Sequence, residues 1–558
     1  MKLAAVVLLG AAAMQAASFD ALVDDFFDHA YFPFRPTDGT QAGFHQYDTQ
    51  LEDYSRGRMV DAQSAALKKF EAEFQKSSPA TLDEYARGDR EMLLGYIRAT
   101  LHSLENVRFW EKNPDIYSSG ITQSAFTIMS RKFAPPADRL RSLIAREKQM
   151  PQVFAAARAN LKNPPKVYVD VAIEQMPGNI SFFEKDVPQA FDKVTDQKLL
   201  AEFRQSNDAV LKALRDYQAW MNSDLLPRAH GDFRLGAENY RKKLLYEEMV
   251  DTPLDRLLAI GYEDLRRNQQ SFREVAAKID PTKTPRQILD EAEKDHPSGA
   301  KLLQAFRDVL MGMRDFIEQH HIVTIPSRVM PIIEETPPFQ RALTTASMDT
   351  PGAYEKVAKE AFFNVTLPEP DWTAAHVEEH LQMFNRGIIT STSIHEAFPG
   401  HYVQFLWIQQ VQSKTRKLLY ANSNVEGWAH YCEQMMLDEG FAKGDLKLRL
   451  GQLQDALLRD ARYIVGIQMH TGNMTMAQAV DFFVKEGMQV RALGEVETKR
   501  GTSDPTYLYY TLGKLQIQKL RKDYHQPLLQ FHDAFLKQGG APIKVVREAL
   551  LGNQSPVL

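Results

Sequence analysis

His395-Glu396-Ala397-Phe398-Pro399-Gly400-His401 places two imidazoles and a carboxylate within seven residues, and Glu426 follows twenty-five residues after the second histidine. These are the parts needed to hold a zinc ion and activate water on it. In the H-E-x-x-H pattern the histidines stand one helical turn apart, so both rings reach one metal from a single face. Here Pro399 occupies that second position and the next histidine is His401. On a straight helix, roughly 100° per residue leaves His401 about 120° round the cylinder from His395. Proline removes a backbone donor and glycine tolerates unusual dihedrals, so Pro399-Gly400 predicts a local bulge that absorbs two residues and returns His401 to the metal. The plainer alternative is a helix that ends at Phe398 with a solvent-facing histidine after it.

The downstream segment favours the first reading. Asn424-Val425-Glu426-Gly427-Trp428-Ala429-His430-Tyr431-Cys432-Glu433 has helical spacing, with Glu426, His430 and Glu433 on one stripe. Val425, Trp428, Ala429, Met435 and Met436 are apolar, which predicts burial on most sides. Buried carboxylates need partners, and a metal for Glu426 with His430 or Glu433 hydrogen-bonded behind it would supply them.

The H-E-A-x-P-G-H element and the E-G-W-A-x-Y-x-E element after it resemble the bacterial domain-of-unknown-function family 885, whose members are regarded as candidate zinc metallopeptidases. Further segments carry the likeness: Ala42-Gly43-Phe44-His45-Gln46-Tyr47-Asp48, Asn113-Pro114-Asp115-Ile116-Tyr117, Arg234 to Arg241, Tyr510-Thr511-Leu512-Gly513-Lys514 and Phe531-His532-Asp533. The separation of Glu426 from the histidines is more distantly similar to the thimet oligopeptidase family, also helical zinc peptidases. The resemblance implies a mainly α, two-lobed helical zinc-peptidase-like fold with a small β-sheet beside the cleft. It also implies one Zn2+ held by His395, His401 and Glu426, with Glu396 as general base. Tyr510 falls on what resembles the family's Y-x-x-G position and is the first choice for an oxyanion donor among Tyr507, Tyr509 and Tyr510. His470 and Arg462 resemble positions of the same pattern and either bind substrate or serve a structural role.

Composition bounds the rest. Met1-Lys2, an apolar run from Leu3 to Met14 and small residues through Ser18 have the plan of a secretory signal, with cleavage after Ala13 or near Ala17. The run is shorter than the roughly 20 residues a membrane span needs, so a periplasmic or secreted protein without a membrane span is expected. Cys432 is the single cysteine, so stability comes from the core and not from disulfides. The formal net charge of -5, without a long basic run, excludes nucleic acid as a partner.

Helical periodicity dominates 19–250, at 19–30, 55–75, 82–106, 118–133, 137–148, 151–161, 167–176, 197–221 and 238–249, with proline in the gaps. The expected layout is a signal peptide at 1–18, an N-terminal helical lobe at 19–250 and a catalytic lobe at 251–558. Between 320 and 366, segments 322–325, 328–333 and 362–365 are β-branched or aromatic and read as a small sheet. An edge strand there either holds an extended peptide across the zinc or is purely structural. Helical spacing returns from 371 onward.

The leading expectation is an exported zinc metallopeptidase that cleaves short peptides. A zinc-dependent hydrolase of another amide or an ester, or a non-catalytic metal- or peptide-binding protein, remains open at this point. Glu396 separates them, because a protein that only binds has no use for a base beside the metal.

Overall fold

The computed structural model describes residues 19–337, 341 and 344–558; the expected leader at 1–18 lies outside them. Between the prolines the chain is helical, as the apolar spacing requires. Gln63–Lys76, Glu84–His102, Asp115–Ser130, Pro136–Glu147, Met150–Asn160, Lys166–Ser181, Gln197–Trp220 and Gly236–Glu248 follow one another. Pro136 opens its helix, where a missing N–H costs nothing, and Pro165 directly precedes another.

Among the described residues, four apolar cores fix the arrangement, the smallest of them around Val465, Phe483 and Tyr507. One is formed from residues between Leu51 and Ala229, around Tyr117, Phe154, Phe182 and Tyr217. A second joins the N-terminal Phe26, Phe70 and Leu93 to Phe363, Ile394 and Trp428, so the helices that carry the histidines and Glu426 rest partly on the start of the chain. A third surrounds Tyr240, Leu257, Tyr463 and Leu512.

Eight helices frame the site: α1 (Leu254–Ile279), α2 (Leu302–Gln319), α3 (Arg386–Glu396), α4 (His401–Ile408), α5 (Asn422–Asp438), α6 (Leu446–Thr471), α7 (Arg491–Ser503) and α8 (Tyr509–Tyr524). Two crossings bring four of them to backbone contact. A Cβ on Gly451 of α6 would lie 2.6 Å from Gly387 Cα of α3. A Cβ on Gly513 of α8 would lie 1.9 Å from the Ser423 carbonyl oxygen and 2.7 Å from Gly427 Cα of α5. Only glycine fits there. A buried polar knot adds a further tie. Lys514 Nζ of α8 lies 2.8 Å from Asp264 of α1, both 1% exposed, while Asp460 of α6 accepts from Asn268 and Thr511. Burial pushes the Lys514 ammonium down to about 8.

The sheet has three short strands, β1 (Ile332–Glu335), β2 (Ala346–Asp349) and β3 (Phe362–Val365), in the order β1-β3-β2. β1 runs parallel to β3, with Ile332 opposite Phe362, and β2 antiparallel, with Met348 opposite Phe363. The mainly α fold with a small sheet is therefore present, but two strands differ from the expected segments. Residues 322–325 are not a strand: Thr324 N–H donates to Asp533 at 2.9 Å and its carbonyl accepts from Trp407 Nε1 at 2.9 Å, so side chains take its backbone groups. Residues 346–349 pair although they contain no β-branched residue, because β3 supplies the partner edge.

Burial pushes the Glu147 carboxyl from 4.5 up to about 8, with Ser206 donating to one oxygen and the other left without a partner. The unfolded chain loses this proton near 4.5 and the folded chain keeps it, so the group's contribution falls as pH rises from about 4.5 to about 8 and is flat above. Melting temperatures of wild type and Glu147→Gln across that window should diverge progressively, by the equivalent of roughly 3–5 kcal/mol at most. Gly513→Ala gains about 1 kcal/mol of helix propensity but drives a methyl group into two backbones. Urea unfolding should show a net loss of roughly 1–3 kcal/mol.

Candidate metal centre

Asn385 caps α3 by accepting from Ile388 N–H at 3.1 Å, which sets the register that places His395 in its last turn. The helix ends at Glu396, and α4 begins as a separate helix at His401. The connection is thus a break between two helices and not a bulge inside one. Ala397 and Phe398 N–H groups both reach the Ser393 carbonyl, and Gly400 N–H reaches that of Ile394 at 3.0 Å. A Cβ on Gly400 would fall 1.8 Å from the His395 carbonyl oxygen, so this fold-back requires glycine. Trp428 of α5 donates from Nε1 to the Pro399 carbonyl at 2.9 Å and pins the turn. His401 is buried, which excludes the solvent-facing alternative.

α5 delivers Glu426. Its first N–H groups, on Asn422 and Ser423, donate to the Glu248 carboxylate at 3.2 and 2.9 Å, so a remote residue caps the helix. Glu426 Oε2 lies 3.2 Å from His395 Nε2 and 3.4 Å from His401 Nε2. Tetrahedral zinc with bonds of about 2.0–2.1 Å separates its ligand atoms by roughly 3.3 Å. The three ligand atoms all lie within 4.8 Å of one another, and no hydrogen bond satisfies the buried Oε2. This donor set fits a zinc ion.

Electrostatics agree with that fit. Burial opposes ionisation of Glu426, yet His401 and His395 hold its carboxyl well below the usual range. Burial alone would lower the His395 pKa, but the carboxylates of Glu426 and Glu433 beside it push it up to about 10. The pocket asks for positive charge between these groups.

Glu433 is the hub behind the triad. It is fully buried and accepts from His395 Nδ1 at 2.7 Å and His430 Nδ1 at 3.1 Å, while Arg459 lies 3.1 Å away. Against burial, Arg459 and His430 hold its carboxyl below the normal range. The stripe read from the sequence is present, but Glu433 orients His395 and not Glu426. A carboxylate on Nδ1 fixes the tautomer that presents Nε2 to a metal. His401 Nδ1 is buried without such a partner.

Glu396 is half-buried beside the triad and takes no hydrogen bond among the described residues. Burial raises its pKa, with His401 and His395 pulling the other way. The Tyr510 ring lies 6.2 Å from the His395 ring, roughly parallel to it, and its hydroxyl accepts from Arg500 at 3.2 Å. Arg462 lies 5.0 Å over the Tyr510 ring and makes a two-pronged pair with Glu497 at 2.7 Å. His470 is placed apart from this group. Its Nε2 donates to the Gly501 carbonyl at 2.8 Å, its ring packs near Phe233, and burial pushes its pKa down to about 4.

Arg459, Glu497 and Arg500 escape the sequence reading. Arg459 carries a usable signal, since with Asp455 it marks charged positions on α6 among Leu457, Leu458 and Ala461. A cavity of about 890 Å3 lies at the start of α5, lined by Asn422 and by Glu248, Tyr420, Tyr31, Tyr96 and Trp110 among others. None of the three proposed ligands lines it, but Asn422 is one helical turn before Glu426.

The family described as bacterial protein of unknown function (DUF885) matches residues 36–550. No curated protein matches the chain. Among solved structures, a candidate lipoprotein of unknown function from Shewanella oneidensis is similar, at 26% identity and a TM-score of 0.79 over 96% of this chain and 99% of that one. A candidate lipoprotein from Colwellia psychrerythraea shares the fold, at 17% identity and a TM-score of 0.78 over 97% and 98% of the two chains.

Glu433→Gln removes one acceptor and the charge behind His395. Zinc affinity, read by competition with a chromogenic chelator, should fall roughly 10–100-fold, with circular dichroism checking that the helices persist.

Proposed function

We propose that this chain, which belongs to the bacterial family of unknown function DUF885, is an exported zinc-dependent peptidase that hydrolyses short peptides. The observation that carries the reading is Glu426 Oε2 at 3.2 and 3.4 Å from two imidazole Nε2 atoms, with the carboxylate of Glu396 uncommitted beside them. A zinc ion held by His395, His401 and Glu426 would supply the positive charge that acidifies water and polarises a carbonyl.

The remaining steps belong to side chains. Glu396 takes the proton of the attacking water and passes it to the leaving amine. Burial supports this role by lifting its pKa toward the working range of a general base. Tyr510 donates its hydroxyl proton in a hydrogen bond to the developing oxyanion, with Arg500 steadying the phenol oxygen. Arg462 braces the Tyr510 ring, and His470 secures α7 through the Gly501 carbonyl. Both act on substrate through these neighbours.

The cavity beside α5 supports a peptide-sized substrate, since its volume is near the upper end of ligand pockets. Export is supported by the apolar leader pattern at 1–18 and by the likeness to the Shewanella protein. Among the described residues no helix is long and apolar enough to cross a membrane. An ester or a non-peptide amide would engage the same groups; a protein that only held metal would give Glu396 no task.

Glu396→Gln should keep its zinc by elemental analysis and lose about 10²–10⁴-fold in turnover of a mixed peptide library. Wild-type turnover in that variant would remove the mechanism.

A further inference from the structure

The cavity at the start of α5 is bordered by five carboxylates, and each has an occupation. Glu52 accepts from the Thr37 N–H at 2.9 Å and hydroxyl at 2.8 Å. Glu247 takes Lys243 on both oxygens at 2.6 Å, and Glu248 caps α5. Asp53 accepts from Ser55 N–H at 2.8 Å and Asp38 from the Tyr31 hydroxyl at 3.1 Å.

The cations are served less evenly. Lys243 is spent on Glu247. For Arg35 the paired carboxylate is Asp38 at 3.6 Å, beyond hydrogen-bond length, and its buried Nε has no partner. Arg58 donates to the Pro33 carbonyl at 3.0 Å and lies 4.1 Å over the Phe34 ring, with no carboxylate paired to it among the described residues. Two guanidiniums, joined through Pro33-Phe34-Arg35, therefore line the cavity, Arg35 between the Tyr31 and Tyr96 rings at 5.9 Å from each, and neither is hydrogen-bonded to a carboxylate among the described residues.

Tyr420 stands on the segment that leads into α5. It is 62% exposed and lines the same cavity. Asn422 lines it too and begins α5 one helical turn before Glu426. The aromatic walls suit the side chains of an extended peptide between those ends.

We propose that Arg35 and Arg58 bind the free C-terminal carboxylate of a short peptide whose scissile amide lies at the metal triad, making the protein a reader of peptide carboxyl ends. This rests on the peptidase reading of the triad. A terminal amide offers neither the charge nor the paired acceptors, so it leaves both guanidiniums unanswered.

The test uses two fluorogenic peptides of one sequence, ending in a free acid or an amide. The zinc-loaded wild type should cleave the acid with a kcat/KM roughly 10–100-fold higher, chiefly through KM. The Arg35→Gln/Arg58→Gln double variant should bring that ratio to about one; Arg58→Lys is the fallback if the double variant fails to fold, and should reduce the ratio. The same peptides are titrated calorimetrically into zinc-free protein, where the acid should bind more tightly. Equal cleavage and equal binding of acid and amide would overturn the proposal and leave the peptidase reading standing, as would an acid preference that survives in the folded double variant. No cleavage of either peptide, with acid-selective binding that the double variant loses, would keep the carboxylate site and remove the peptidase reading.

Discussion

The buried carboxylate of Glu433 is the interaction on which the site depends. A fully enclosed anion is expensive, and it persists only where cations and donors surround it. Here they come from three helices: His395 from α3, His430 from its own α5 and Arg459 from α6. Two of them meet further charged groups. Arg459 pairs again with Asp455, and His395 presents its other nitrogen toward Glu426 and His401. The charge that orients His395 thus also binds α3, α5 and α6 together. Stability and site geometry draw on the same atoms, so the cost of the buried charge is offset where the chemistry needs precision.

Around that hub the backbone does the positioning. The fold-back at Gly400 turns a spacing that fails on a regular helix into two helix ends facing one point. His395 closes α3, His401 opens α4, and Trp428 of α5 holds the carbonyl between them. Glu248, more than 170 residues before Glu426, fixes the start of α5 through two N–H groups. The small sheet precedes this assembly, and β2 packs against α3, so its role in the architecture is to brace the helix that carries His395.

Much of this was legible in the sequence, for identifiable reasons. The meeting of His395, His401 and Glu426 shows because imidazoles, carboxylate, proline and glycine crowd into one heptapeptide and Glu426 falls on an otherwise apolar helix. Helix positions show because apolar periodicity and proline breaks are local signals. The fold-back was less accessible: Pro399-Gly400 announces an irregularity, but whether it bends one helix or separates two depends on carbonyls at Ser393 and Ile394 and on Trp428. Strand assignment at 322–325 misled because β-branched content says nothing of Asp533 and Trp407, which take those backbone groups from distant parts of the chain. The support from Arg459 and Arg500 is tertiary, and helical spacing within α6 or α7 does not reveal what lies across from it.

The glycine crossings act as spacers for the helices around the site. Where α5 meets α8 at Gly427 and Gly513, and α3 meets α6 at Gly387 and Gly451, main chain rests on main chain. The spacing at such a junction is set by peptide atoms and not by side-chain volume. A change of one methylene in a side chain elsewhere in the interior leaves these two gauges untouched. The separation of the helices that carry His395, Glu426 and Tyr510 is thus ruled by main chain.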